Sequence, residues 1–545
     1  MTGLRCLAVL PTALSFEVDD GSIWAADAPR DVWVDGAVVL RTDRNVFSLY
    51  DLRPDTQYAV RVGTDRLVVR TAACKAVVDP RAFGARGDGV SDDTAALQAA
   101  LMACPPGGLV RLSAGRYLTA PLFLKSDMAV ELREGAEVVG HRDITKWPVL
   151  PGVLPDAEGT ERTCLGSWEG EAETCHAALF NLLFARNVQL YGRGVIDGQA
   201  GFDTWWNRSF IAHEKRVPRL SPRGRRTIAD ARLGVEGGST ERAEPLGGWR
   251  PRLIFMVECE QVILHGLTLK NSPSWTVHPL LSRGLTFADL RIEAPADSPN
   301  TDGLNPESST DIVISGVDFA VGDDCIALKS GKISMARRTV RPTRRVRISN
   351  CRMRDGHGAV VIGSEMASGV YDVSVQTCLF INTDRGIRLK TRRGRGREAV
   401  IRGLNCRHIR MEGVGTAFVI NSFYWCDPDG QTDYVGDRNP RPVDDGTPAI
   451  GDIHLSHIDA TGVRHAGLYV LGLPEQPVDG LTLDHIRLRF DPDAQPGEPD
   501  MAASIAPVAR LGGLIANVRH LRTNALDIDG QSGETLTLEN VTCLT

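Results

Sequence analysis

The feature that most limits what this chain can fold into is a repeat in its second half. Four segments share one pattern: ISGVDFAVGDDCIALKSG from Ile314, ISNCRMRDGHGAVVIGSE from Ile348, VQTCLFINTDRGIRLKTR from Val375 and CRHIRMEGVGTAFVINSF from Cys406. Each opens on a short apolar run, turns, and starts a second apolar run 12 residues after its start, at Ile326, Val360, Ile387 and Phe418. The starts lie 34, 27 and 31 residues apart, and similar units begin at Leu264, Phe287, Leu455 and Leu483. A period of about 30 residues built from short strands, without helical or heptad periodicity, predicts stacked coils that bury their inner faces on their neighbours. In that register Cys351 and Cys378 share a rung with Val317, so these thiols read as small buried hydrophobes. Residues 74–545 therefore read as one all-β domain, a parallel β-helix.

An open solenoid end exposes core and unpaired strand edges, so it needs a cap. FGARGDGVSDDTAALQAALMAC, residues 83–104, predicts one: Asp92 or Asp93 caps a helix whose Ala96, Leu97, Ala100 and Leu101 share a face. Residues 1–73 read as short alternating strands of a small N-terminal β-sandwich. There LYDLRPDTQYAVRV resembles the fibronectin type III signature, for which a spacer or packing role is expected. The stretch 202–252 breaks the coil rhythm. It carries WWNRSF and a basic cluster of Lys215, Arg216, Arg219, Arg223, Arg225 and Arg226. Two readings stay open, a solvated loop or a wall that attracts an acidic ligand to a cleft.

The net charge of −6 offers no basic field for nucleic acid, and no apolar run is long enough to span a membrane. The N-terminal apolar stretch is short and broken by Pro11, a poor export signal. The 12 cysteines include no CxxC pair and no zinc spacing. A reducing, cytoplasmic setting is expected, with periplasmic or secreted placement as the alternative.

VGDDCIALKSG, from Val321, sets two acids side by side before an apolar strand. Adjacent Asp residues at a strand entrance are usually turn residues. Aligning the coils on their second runs changes that reading. Asp323 stacks on His357 and Asp324 on Gly358, with Asp384 and Arg385 one coil later, while NTDG of Asn300–Gly303 lays Asp302 over Asp324. Coils are spaced by roughly 4.8 Å, so three acids and a histidine crowd one patch. Alternation sends Ile326, Leu328, Ile387 and Leu389 inward and Arg388 and Lys390 outward beside the acids. Clustered carboxylates cannot all ionise cheaply, so one is expected to hold a proton. A protonated acid beside ionised ones can protonate a glycosidic oxygen while another activates water. An Arg-x-Lys pair suits the carboxylate of a uronic acid sugar. Calcium binding is the competing use of such acids, and His357 favours proton chemistry.

NTDG, GDDC, GHG and RLK, in this order and spacing, resemble the four signatures of the family 28 glycoside hydrolases, the polygalacturonases. NSPSWTVHP from Asn271 and GSEMASG from Gly363 look closest to bacterial exo-acting members, which can also carry a fibronectin-like N-terminal domain. The resemblance implies a right-handed β-helix that hydrolyses α-1,4-linked galacturonate with inversion. It implies pectin-derived oligo- or polygalacturonate as the partner and neither metal nor cofactor. On this basis Asp323 is the general acid, Asp302 and Asp324 activate the water, and His357 tunes or shares the acid's proton. Arg388 and Lys390 hold the galacturonate carboxylate; RLK in place of RIK changes only the inward Leu389. Asn300 organises its turn at the edge of the substrate site, while His278 and Trp275 are candidates for lining the cleft. Asn421 and Tyr424 are further candidates for sugar contacts, and Cys325 is a packing residue. Rival readings are a rhamnogalacturonan or xylogalacturonan hydrolase, a calcium-dependent pectate lyase, and a polysaccharide-binding β-helix without activity. Exo action requires a cleft closed at one end, and the 202–252 stretch is the candidate wall.

Overall fold

The computed structural model describes residues 3–155, 161–206, 249–426 and 429–544. Each coil is built from short strands that pair in parallel with the same strand of the next coil. Leu264, Phe287, Ile314, Ile348, Val375, Cys406, Leu455 and Leu483 follow one another in register. This is the stacking expected from the repeat. A second interior ladder runs Ile196, Leu269, Ile292, Phe319, Met353, Phe380 and Met411. Both ladders are buried, because alternate strand residues face the inside of the coil and only apolar ones are spared a desolvation cost there. Cys351 and Cys378 lie in this interior and all 12 cysteines are unpaired.

The corner between the two ladders turns on one residue in the left-handed region, for example Gly316, Asn350, Thr377 and His408. A single such residue bends the chain between the two strands, which glycine and asparagine do at least cost. The third strand of the coil runs through Ile326–Leu328, Val360–Ile362, Arg385–Lys390, Thr416–Asn421 and Ala466–Leu471. The loops entering this third strand are longer and irregular, and they carry the site.

A helix, Thr94–Ala103, covers the N-terminal end of the coils through Leu97, Ala100 and Leu101. Asp92 accepts from the Thr94 backbone amide at 3.1 Å, while Asp93 accepts from Arg86 and Gly87 at 2.7 and 3.0 Å. Ahead of it stand two antiparallel sheets. One pairs Gly3–Val9, Leu14–Asp19 and Val46–Leu49; the other orders Ala37–Arg44, Ala25–Val34, Gln57–Val62 and Asp65–Arg70. Phe16, Phe47, Val32 and Val60 meet between them, which makes a small β-sandwich. Tyr58 closes the turn by accepting from the Arg53 amide at 2.9 Å.

The sandwich is bound to the β-helix by a buried carboxylate. Glu17 accepts from Ser349, Asn350, Arg347 and Ser315 at 2.7, 2.6, 2.7 and 3.1 Å. Of the stretch expected to wall the cleft, residues 207–248 and the whole basic cluster lie outside the described residues. Trp205 and Trp206 are described and buried, Trp205 edge-on to Trp147 at 5.4 Å.

Candidate active site

Coil stacking sets the positions of the acids. Leu304 bridges to Ile326, which places Asp302 across from Asp324. Ile326 pairs with Val360, setting Asp323 across from His357 and Asp324 across from Gly358. The backbone is pinned along the same line: the Gly303 amide donates to Asp324 O at 3.0 Å and the His357 amide to Asp323 O at 3.1 Å. Carboxylate oxygens of Asp302, Asp323 and Asp324 all lie within 4.8 Å of one another. The three residues are 3%, 8% and 2% exposed, so Asp323 is the one a ligand reaches most easily.

Both glycines of GHG are required by closeness. A Cβ on Gly358 would strike Val361 and meet Asp324 Oδ1 at 3.0 Å; one on Gly356 would meet Cys325 Sγ at 2.6 Å. Cys325 itself is fully buried and burial pushes its thiol well above the usual value, so it packs and does not attack.

Asp302 and Asp324 are shifted in opposite directions for physical reasons. Burial, and then the neighbouring Asp323 charge, pushes Asp302 well above the ordinary carboxylate range. Burial works upward on Asp324 as well, but Lys390 and then Arg388 outweigh it and hold that carboxyl below its ordinary value. Lys390 Nζ stands 3.0 Å from Asp324 Oδ2 and Arg388 Nη1 3.9 Å from Oδ1. Beneath them Lys329 pairs with Glu365 at 2.8 Å and lies over the Trp275 ring. The His357 imidazole meets Asp384 at 3.1 Å, one coil further on, a contact that orients the ring.

Several expected contacts are redirected by neighbours. Arg388 projects outward from its strand, yet it is fully buried, because residues 498–501 cross over it and Asp500 meets its Nη2 at 2.6 Å. Asn421 is also fully buried and gives its amide to Asp500 and to Met501 O at 2.6 and 2.9 Å, which leaves that donor nothing for a sugar. His278 is sealed behind the cleft, hydrogen-bonded to Glu307 at 2.8 Å, and burial brings its imidazole down to about 4. Asn300 adopts φ 53° and accepts from Arg250 at 2.6 Å, a contact that ties its turn to the neighbouring coil. Tyr424 is buried beside Arg388 and Lys390.

Sequence reasoning missed Asp500, Lys329, Glu365 and Arg250. Lys329 had a signal, since it falls two residues after Ala327 on the outward side of the GDDC strand. Asp500 had none, being brought in from an irregular segment far downstream.

A parallel β-helix that gathers at one turn an acid shifted up, an acid shifted down and a third, least buried acid has the construction of a glycoside hydrolase. Comparison with known proteins agrees. Residues 239–495 match the model of the glycosyl hydrolases family 28. A probable polygalacturonase of Vitis vinifera is 29% identical over 418 residues, spanning 75% of this chain and 73% of its own. An exo-poly-alpha-D-galacturonosidase of Dickeya chrysanthemi is 25% identical over 425 residues, spanning 72% of this chain and 66% of its own. The solved family 28 exopolygalacturonase of Yersinia enterocolitica superposes with a TM-score of 0.66 at 19% identity, covering 99% of this chain and 98% of that one. Over residues 239–495 the chain is similar to glycosyl hydrolase family 28, and its fold is the right-handed parallel β-helix with a small N-terminal sandwich.

Proposed function

We propose that this protein hydrolyses α-1,4 bonds between galacturonate residues of pectin-derived oligo- or polygalacturonate, acting from a chain end and with inversion. The observation that carries this is the convergence of three carboxylates at one turn, where burial raises Asp302 while Lys390, 3.0 Å away, holds Asp324 down. In this reading the crowded acids retain one proton, since burial and the neighbouring charge raise Asp302. With the proton on Asp323, the most exposed of the three, that residue protonates the leaving oxygen. Asp302 and Asp324, then both ionised, activate the attacking water. His357 and its Asp384 partner tune the Asp323 side, and Lys390 faces the sugar carboxylate. The exo reading is supported by the Dickeya relative's name and by the crossing of segment 498–501 over the Arg388 rung.

Among the described residues the three acids are also the one group whose ligand atoms converge closely enough for a cation. Positive charge from Lys390, Lys329 and Arg388 already surrounds them, which favours proton chemistry over calcium-dependent elimination. We place the activity in the cytoplasm on imported oligomers; the unpaired cysteines support that setting. Cell fractionation that recovers the activity outside the cytoplasm refutes it.

The test is digestion of polygalacturonate and a defined oligogalacturonate with products sized over time, beside Asp323→Asn. Early release of galacturonic acid or one short saturated product, by wild type alone, is expected. A ladder of saturated oligomers overturns exo action, and an unsaturated, EDTA-sensitive product overturns hydrolysis. Inversion is checked by proton NMR of the first product. The usual inverting pair is set about 6.5–9.5 Å apart, so the shorter spacing here makes the anomer decisive.

A further inference from the structure

Asp500 comes from a part of the chain that the catalytic turns do not use. Its segment is tied down across the outer face of the third strands. The Arg385 guanidinium donates to Glu498 O and Pro499 O at 3.2 and 3.3 Å, and the Thr416 hydroxyl to Pro499 O at 2.9 Å. The Asn421 amide donates to Met501 O at 2.9 Å and the Trp425 amide to the same carbonyl at 3.1 Å. So many anchors make a fixed wall, and they deliver one fully buried carboxylate to a fully buried guanidinium. Asp500 meets Arg388 Nη2 at 2.6 Å, lies 3.6 Å from Arg385 Nε and accepts from Asn421 at 2.6 Å. The opposite edge of Arg388 faces Asp324 at 3.9 Å.

A carboxylate is the group a uronic acid sugar would present to Arg388, and here the protein presents it first. We infer that Asp500 commits Arg388 to the protein, so that reading the substrate carboxylate at this rung falls to Lys390, with segment 498–501 setting the charge preference of the site. The inference rests on the galacturonate reading proposed above. Lys390 keeps some exposure, 7% of its side chain, and spends one of its three donors on Asp324. A lone ammonium reads a carboxylate less sharply than a forked guanidinium, so the wild-type site prefers an acid over its methyl ester only modestly.

The test reads binding, so that turnover does not confuse it. Affinities for trigalacturonate and for its fully methyl-esterified form are measured by titration calorimetry in the Asp323→Asn background. Adding Asp500→Ala frees one edge of Arg388, and the acid-over-ester preference is expected to rise about tenfold, the scale of a charge-assisted hydrogen bond. A purely structural role would weaken both ligands alike and leave their ratio in place; a folded variant with an unchanged ratio overturns the inference. Should Asp500→Ala unfold, as thermal melting would reveal, Lys390→Ala decides. Collapse of the preference towards parity supports the inference, and a retained preference means that Arg388 reads the substrate and overturns it. Absence of hydrolysis by wild type in the digest, by contrast, removes the functional reading and this inference with it.

Discussion

Asp302 and Asp324 face one another across one coil spacing and are still shifted in opposite directions, because Lys390 and Arg388 hold Asp324 down while burial and the Asp323 charge outweigh Lys329 at Asp302. This fixes the sign of the pH dependence. kcat/KM falls on the acid side where Asp324 takes up a proton, below the ordinary carboxylate range. On the alkaline side it falls where the retained proton leaves, above that range. Lys390→Met removes the largest downward influence on Asp324, so the acid limb is expected to move to higher pH in a pH–rate profile. An unmoved limb would break the link between the two. Asp302 also carries a stability cost. Its pKa is raised on folding, so its contribution is fully present below the unfolded value and lost as pH rises through the folded one. Asp302→Asn is therefore expected to abolish turnover while stabilising the fold at neutral pH by about 1–3 kcal/mol, an advantage that vanishes in acid. Melting curves of both proteins at two pH values check it.

At the scale of elements, the site stands on the interior ladders. Phe319 lies between Ile292 and Met353 and reaches under Gly303, where a Cβ would meet its ring at 2.6 Å. Phe319→Ala is expected to cost about 3–5 kcal/mol in denaturant unfolding. It is also expected to lower turnover by loosening the turn that holds Asp302. Gly358→Ala tests the opposite case, a small change with a large local effect. Its methyl enters the space of Val361 and Asp324 Oδ1, so kcat should fall at least about tenfold through displacement of the acid, with the overall fold intact by circular dichroism. Full activity would mean that Asp324 has more room than these contacts allow. The stacking of both motifs was legible in the sequence because a coil repeats its apolar positions at nearly fixed offsets. His357 was legible as a neighbour of the acids by the same count, and its Asp384 partner occupies the matching position one coil on.

For the whole molecule, the sandwich and the β-helix meet at the corner between the first and second strands of the coils, while the acids sit at the loops entering the third. Glu17 holds that seam, fully buried among Ser315, Arg347, Ser349 and Asn350. Glu17→Ala leaves the buried Ser315, Ser349 and Asn350 without their acceptor and is expected to cost about 1–3 kcal/mol at the seam. In calorimetry this should appear as a separate, earlier transition for the sandwich, while the initial rate of hydrolysis stays at the wild-type level. A single unshifted transition would show that the apolar contacts of Leu10 and Ala13 with Leu109 and Tyr191 suffice without it.

The sequence by itself determined the coil register, the interior ladders and the gathering of Asp302, Asp323, Asp324 and His357, because strand alternation and a repeat of short apolar runs are local properties that add up without knowledge of the rest of the chain. Tertiary structure alone decided which outward side chains remain open. Arg388 and Asn421 point away from the core as counted, and they are closed off because a downstream segment lies over them and offers Asp500. Strand periodicity fixes direction from a coil, and it carries no record of what a distant, irregular loop will lay on top.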